Sequence, residues 1–252
     1  MKWLKRIVAA IISIVLLLGL LMVLFNEQKP EGEEGRKAEA MADKMLEAIN
    51  YQAWSETGAI EWDFGGRHQH IWDKNRHFVQ VTWQGNVVQI DINKRVGIVR
   101  ESENGMTNAE KSKLCRKAWS YWANDSFWLN PVAKVRDDGT SRSLVNYEGE
   151  EALMITYDRG GVTPGDSYLW FLQEDGLPYK WKMWVSIIPI GGVSTTWDDW
   201  IELATAAKVA TNHRNLLTLK LSNIRAAKNL EQLIDDDIFE EFIEQNNDIV
   251  EF

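Results

Sequence analysis

The residues with the clearest capacity for chemistry are a histidine pair, His68-Gln-His70. On a strand, residues i and i+2 share a face about 7 Å apart, so the two imidazoles are spaced to share a metal ion. His77, past the next turn, offers a third ligand, and Asp73 a carboxylate. The surrounding sequence lacks the ligand spacing of zinc-hydrolase signatures, and an exposed strand face accounts for the pair equally well. His68, His70 and His77 are thus weak metal candidates, and a metal-dependent hydrolase is the function they would serve. Cys115 is the only cysteine, so no internal disulfide forms. It falls in a predicted helix beside Leu114, as a small buried hydrophobe. No neighbouring base marks it as a nucleophile. No Gly-x-Ser-x-Gly elbow, phosphate loop or dinucleotide fingerprint occurs. Gly65-Gly66 and Gly160-Gly161 read as turns, since no helix begins after them. The sequence gives no case for an enzyme or for a cofactor.

Aromatic residues supply the other signal. The chain has 13 tryptophans, and several alternate with polar residues along predicted strands. Trp62 and Phe64, Val81 and Trp83, Tyr168 and Trp170, and Trp181 and Met183 each fall on one strand face. Two readings compete: these side chains fill a core, or they line a cavity for an acyl-like ligand. On the second reading the eight are the candidate ligand-binding residues. Trp197-Asp198-Asp199-Trp200 has the composition of a sugar-stacking platform, although a strand with edge acids explains it more simply.

The elements that position these residues follow from periodicity. Residues 27–36 are charged and hold two glycines and a proline, as in a flexible linker. A helix is predicted from Lys37 to Ala53, with Ala38, Met41, Met45, Leu46, Ile49 and Tyr51 near one face. From Thr57 the period becomes two, and five short strands separated by tight turns run to Arg100. Thr107 and Glu110 form a capping-box pair that opens a helix to Ala123. Asn124 to Val135 reads as an apolar loop. Sheet resumes through Leu144, Leu153–Tyr157, Tyr168–Gln173 and Tyr179–Ile188, then Trp197–Leu203 and a strand at Leu217–Leu221. A short helix closes the chain near Asp237–Phe242. The predicted fold class is α+β: a curved antiparallel half-barrel of ten or so strands, with helices across its concave face.

This pattern resembles the lipoprotein-carrier half-barrel superfamily, the LolA/LolB-like fold. The features that carry the likeness are the helix leading into hairpins, the middle helix, and the hairpin Tyr168–Trp181 with its Glu174-Asp-Gly-Leu-Pro178 turn. They cover roughly residues 37–245. The resemblance implies a hydrophobic, acyl or lipid ligand held between sheet and helices. The chain departs from the soluble carrier in its N-terminal apolar segment, and from the lipid-anchored receptor in lacking a lipobox cysteine. A protein-interaction or scaffold domain with a filled core is the alternative.

That segment, residues 1–26, reads as a transmembrane signal anchor. Ile7 to Phe25 is apolar apart from Ser13 and Gly19, and as a helix spans roughly 28 Å. No small-x-small cleavage pattern follows it. Lys2, Lys5 and Arg6 precede it and acids follow, so the positive-inside rule places the N-terminus in the cytoplasm. Residues 37–252 are then an extracytoplasmic, periplasmic domain of an inner-membrane protein. The net charge is −9, which argues against nucleic acid as a partner. Acids crowd the end of the chain from Asp235 onward, a solvated segment or a docking surface for a basic protein.

Overall fold

The computed structural model describes residues 2–101, 105–159, 164–243 and 248–252. Five hairpin-linked strands come first: β1 (Ala59–Phe64), β2 (His68–Asp73), β3 (Phe78–Trp83), β4 (Asn86–Asp91) and β5 (Val96–Glu101). The second half gives β6 (Thr140–Tyr147), β7 (Glu150–Tyr157), β8 (Ser167–Leu172), β9 (Pro178–Trp184) and β10 (Val193–Thr196). Then come β11 (Asp198–Glu202), β12 (Lys208–Arg214), β13 (Thr218–Ala227) and the short β14 (Val250–Glu251). Part of the predicted turn at Gly160–Gly165, positions 160–163, lies outside the described residues, as does Glu244.

These strands build two antiparallel sheets in place of the single half-barrel expected. One has nine strands in the order β11-β12-β13-β1-β2-β3-β4-β5-β14; the other has five, β10-β9-β8-β7-β6. Neither sheet closes on itself. The physical reason is that β13 returns to pair with β1, Ile60 opposite Ala226, so the late strands extend the first meander. The chain crosses between sheets at Trp197, directly from β10 to β11, and Asp199 takes a left-handed φ of 54° at that corner.

Six helices accompany the sheets among the described residues. α1 (Lys2–Phe25) has its described side chains exposed. Among the described residues no helix is long and apolar enough to cross a membrane, so the transmembrane reading of 7–25 gains no support here. The predicted helix 37–53 is two pieces, α2 (Arg36–Ala48) and α3 (Tyr51–Glu56). Asn50 breaks it, turning left-handed at φ 53° while its side chain caps α3 by accepting from the Ala53 amide. The capping box at Thr107 forms as expected and opens α4 (Asn108–Leu129). α4 continues six residues past the predicted end, through what was expected to be a loop, and a 3-10 turn at Pro131–Lys134 follows. α5 (Leu230–Ile234) and α6 (Glu240–Ile243) lie near the end of the chain.

The core follows the strand parity. Ile60, Trp62 and Phe64 face the main cluster with α2 and the aromatic residues of β8 and β9, whereas Ala59 packs on the opposite face against Leu230 and Phe239. α4 lies across β3, β4 and β5. Its close approach depends on Gly97 in β5, where a Cβ would sit 2.6 Å from Cys115 Sγ. Cys115 is fully buried, and burial pushes its thiol up to about 12, which leaves it inert.

Residues 27–36, expected as a flexible linker, are fastened to the five-stranded sheet. Glu27 donates its amide to the Gly191 carbonyl, Glu33 exchanges backbone hydrogen bonds with Leu144, and the Trp184 indole donates to the Glu27 carbonyl. The Glu27 carboxylate accepts from Lys182 and Tyr147. Burial opposes its ionisation, but those two partners outweigh burial and hold it below the usual carboxylate range. Gly192, at φ 78°, leaves room for Glu27: a Cβ there would lie 2.6 Å from it.

Candidate functional site

The eight aromatic and aliphatic candidates are all buried, but they do not converge. Trp62, Phe64, Tyr168, Trp170, Trp181 and Met183 join the main cluster; Val81 and Trp83 sit in a separate one beneath α4, with Cys115 and Ala118. Trp181 is fully enclosed, its ring centroid 4.5 Å from that of Tyr168, 4.7 Å from Trp170, 4.8 Å from Trp197 and 5.0 Å from Trp128. Neighbouring rings at these distances fill the space between them. His213, the fourth histidine, is wedged here against Trp197 and Trp128. Burial lowers its pKa to about 4, so it is neutral near pH 7. Trp197 and Trp200 form no sugar platform, since Trp197 is buried and Asp198 is paired with Arg214.

Space opens elsewhere. A cavity of about 330 Å³ lies between α3, the β2–β3 turn, the end of α4 and the 3-10 turn, and none of the eight candidates lines it. Its walls include Tyr51, Trp54 and Trp72, and its polar groups include Lys74, His77, Asn130 and Lys134. The Lys74 amine donates to the Trp54 carbonyl at 2.5 Å and stands 4.4 Å from the Trp54 ring centroid. Among the described residues it makes no ion pair. Desolvation, then the Lys134 charge, lower its pKa to about 8. Asn130 spends its side-chain oxygen on the Ala133 amide, and its buried Nδ2 has no partner among the described residues. Lys134 pairs with Asp137. Sequence reasoning missed this site, because Asp73-Lys-Asn75 reads only as a turn and α3 and the 3-10 turn are brought to it by tertiary packing.

The histidine pair is not on an exposed face. The β1–β2 register sets Phe64 opposite His68 and Trp62 opposite His70, so both imidazoles point toward the core. There they meet Asp125 of α4, whose Oδ2 lies 2.7 Å from His68 Nδ1 and 2.8 Å from His70 Nε2. Its Oδ1 accepts from Asn124. Desolvation lowers the His70 pKa, although Asp125 opposes that shift. His77 does not join the pair; it lines the cavity. Asp73 is also occupied elsewhere, clasping Arg76, which also binds Asp237. At the acidic C-terminus, Asp248 pairs with Lys111. Asp125 escaped the sequence reading because 124–135 was expected to be a loop.

No family model and no curated relative matches the sequence. Among solved structures, the chain is similar to a DUF1329 family protein from Desulfovibrio piger, with 11% identity over 79% of this chain and 97% of that one, at a TM-score of 0.41. The lipoprotein-carrier resemblance continues to rest on the hairpin and helix features of the sequence.

Proposed function

We propose that this chain is a binding protein, without catalytic chemistry, for a small amphipathic anion of the acyl-carboxylate type. The ligand sits between sheet and helices, as the sequence reading expected, but in the cavity at Lys74 and away from Trp181. The observation that carries this is a lysine amine inside an aromatic-walled cavity that pairs with no carboxylate among the described residues, the cavity's own Asp137 being taken by Lys134. A ligand carboxylate supplies that charge, Asn130 Nδ2 supplies a hydrogen bond, and Trp54 and Trp72 receive the apolar body. The volume falls in the range of small-molecule sites and suits a medium-chain acid.

The run Ile7–Phe25 and the basic residues before it support a single-pass anchor in the inner membrane, with residues 37–252 on the extracytoplasmic side. Protease protection of the chain in sealed vesicles tests that placement: the domain is cut from the outer side only. For the ligand, titration calorimetry of the full chain with octanoate and with octanol is decisive. Octanoate binds, and octanol binds more than about 10-fold more weakly, or about 1.4 kcal/mol. Equal binding of the two, or none of either, rejects the proposal.

A further inference from the structure

We propose that His68, His70 and Asp125 form a three-ligand site for a divalent first-row transition ion. Two imidazole nitrogens and one carboxylate oxygen converge within 4.8 Å of one another. This donor set, with the remaining positions left to water, is one that Zn²⁺ takes in protein sites. The site is held by the fold: the histidines are two residues apart on β2, and Asp125 comes from the last turns of α4. Each ring is also clamped. Tyr121 stacks on His68 at 3.8 Å between centroids, Trp62 stacks on His70 at 4.4 Å, and the two imidazoles stand at 90° to each other. Such stacking fixes the ring planes so that both nitrogens aim at one point.

Distances set what binding requires. Ligands about 2.05 Å from a tetrahedral ion stand about 3.3 Å apart. The N···O separations of 2.7 and 2.8 Å are those of hydrogen bonds. An ion therefore displaces the bridging protons and moves each ring outward by roughly 0.6 Å. Access is from the side of His68, the most exposed of the three, whereas the side chains of His70 and Asp125 are 0% and 1% exposed. The bound ion ties β2 to α4, so it stabilises the folded chain in proportion to its occupancy.

The test is titration of the purified full chain with Zn²⁺ by calorimetry, and with Co²⁺ by visible absorption, which reports the coordination. The wild type takes up a single equivalent and its melting temperature rises with Zn²⁺. Loss of an outer-shell partner already costs 10–100-fold in affinity, so His68→Ala and the near-isosteric Asp125→Asn lose more than about 100-fold. Circular dichroism shows that both variants remain folded; should either unfold, His68→Gln takes its place. His77→Ala and Lys74→Met bind Zn²⁺ as the wild type does, which separates this site from the cavity. No stoichiometric uptake by the wild type, or undiminished uptake by His68→Ala, leaves only a structural hydrogen-bonded triad and overturns the proposal.

Discussion

Two regions of this molecule are lined with tryptophan, and they differ in what accompanies the rings. Around Trp181 the neighbours are other aromatic rings and a histidine that burial keeps neutral. Around Trp54 and Trp72 the neighbours are two lysines, one of them paired with Asp137, an asparagine with an unused donor, and about 330 Å³ of space. Aromatic content marks burial in both; a lysine amine and open space beside the rings set the second region apart from the first. On the proposed function, that difference puts the ligand at Lys74 and its surroundings, and not among the eight aromatic and aliphatic candidates.

The largest expected effect breaks the core side of this contrast. Trp181→Ala costs about 3–5 kcal/mol in urea unfolding, because a fully enclosed ring leaves a cavity behind. A charged residue at 181 or at Trp83 unfolds the domain; neither acts as a selective lesion of ligand binding. Trp54→Ala, at the rim of existing space, costs less than half as much and weakens octanoate binding.

Titration separates the regions next. His213 has a folded pKa of about 4 against an ordinary value of 6.5. Between those values the unfolded chain takes the proton and the folded chain does not, so stability falls by up to about 3 kcal/mol as pH drops from 6.5 to 4. Lys74 behaves likewise in an alkaline window. Its folded pKa is about 8 against 10.5, so stability rises with pH between the two, by up to about 3 kcal/mol. Thermal melts across pH measure both slopes, and His213→Phe and Lys74→Met each flatten one of them. Octanoate affinity moves the opposite way to stability in the alkaline window, declining as the amine loses its proton.

A smaller effect tests the cavity chemistry alone. Lys74→Met lowers octanoate affinity about 10-fold by calorimetry, equivalent to about 1.4 kcal/mol, while leaving octanol binding within two-fold. The smallest effect lies outside both regions. Glu27→Gln removes the charge that holds Lys182 and costs less than about 1 kcal/mol, since the pair is partly exposed. Its readout is faster proteolysis within residues 27–36.

Much of the architecture was legible in the chain. Period-two alternation from Thr57 gave the first meander, and Thr107 with Glu110 gave the start of α4. The return of β13 to β1 was not legible, because pairing across some 160 residues leaves no local signature. The end of α4 was misread since Asn124-Asp125-Ser126 are poor helix formers. Their place in a helix depends on the buried contacts Asp125 makes. One site feature was available and overlooked. A three-residue turn after Phe64 sets His68 and His70 opposite Phe64 and Trp62, so whichever face is dry for one strand is dry for both. Lys74 carried no comparable signal, because the desolvation that defines it comes from α3 and the 3-10 turn.

The fastening of Glu27 to the Gly191–Gly192 turn has a mechanical consequence. Only Asn26 separates it from the end of α1, and the Asn26 side chain also accepts a hydrogen bond from the Gly191 amide. The joint therefore has almost no slack. A swivelling domain needs several unattached residues at its pivot, and here that length is laid along the five-stranded sheet. Any surface that holds α1 consequently sets the heading of the cavity mouth, as a bracket does for a nozzle; on the proposed function, that constrains a ligand's approach in direction as well as in distance.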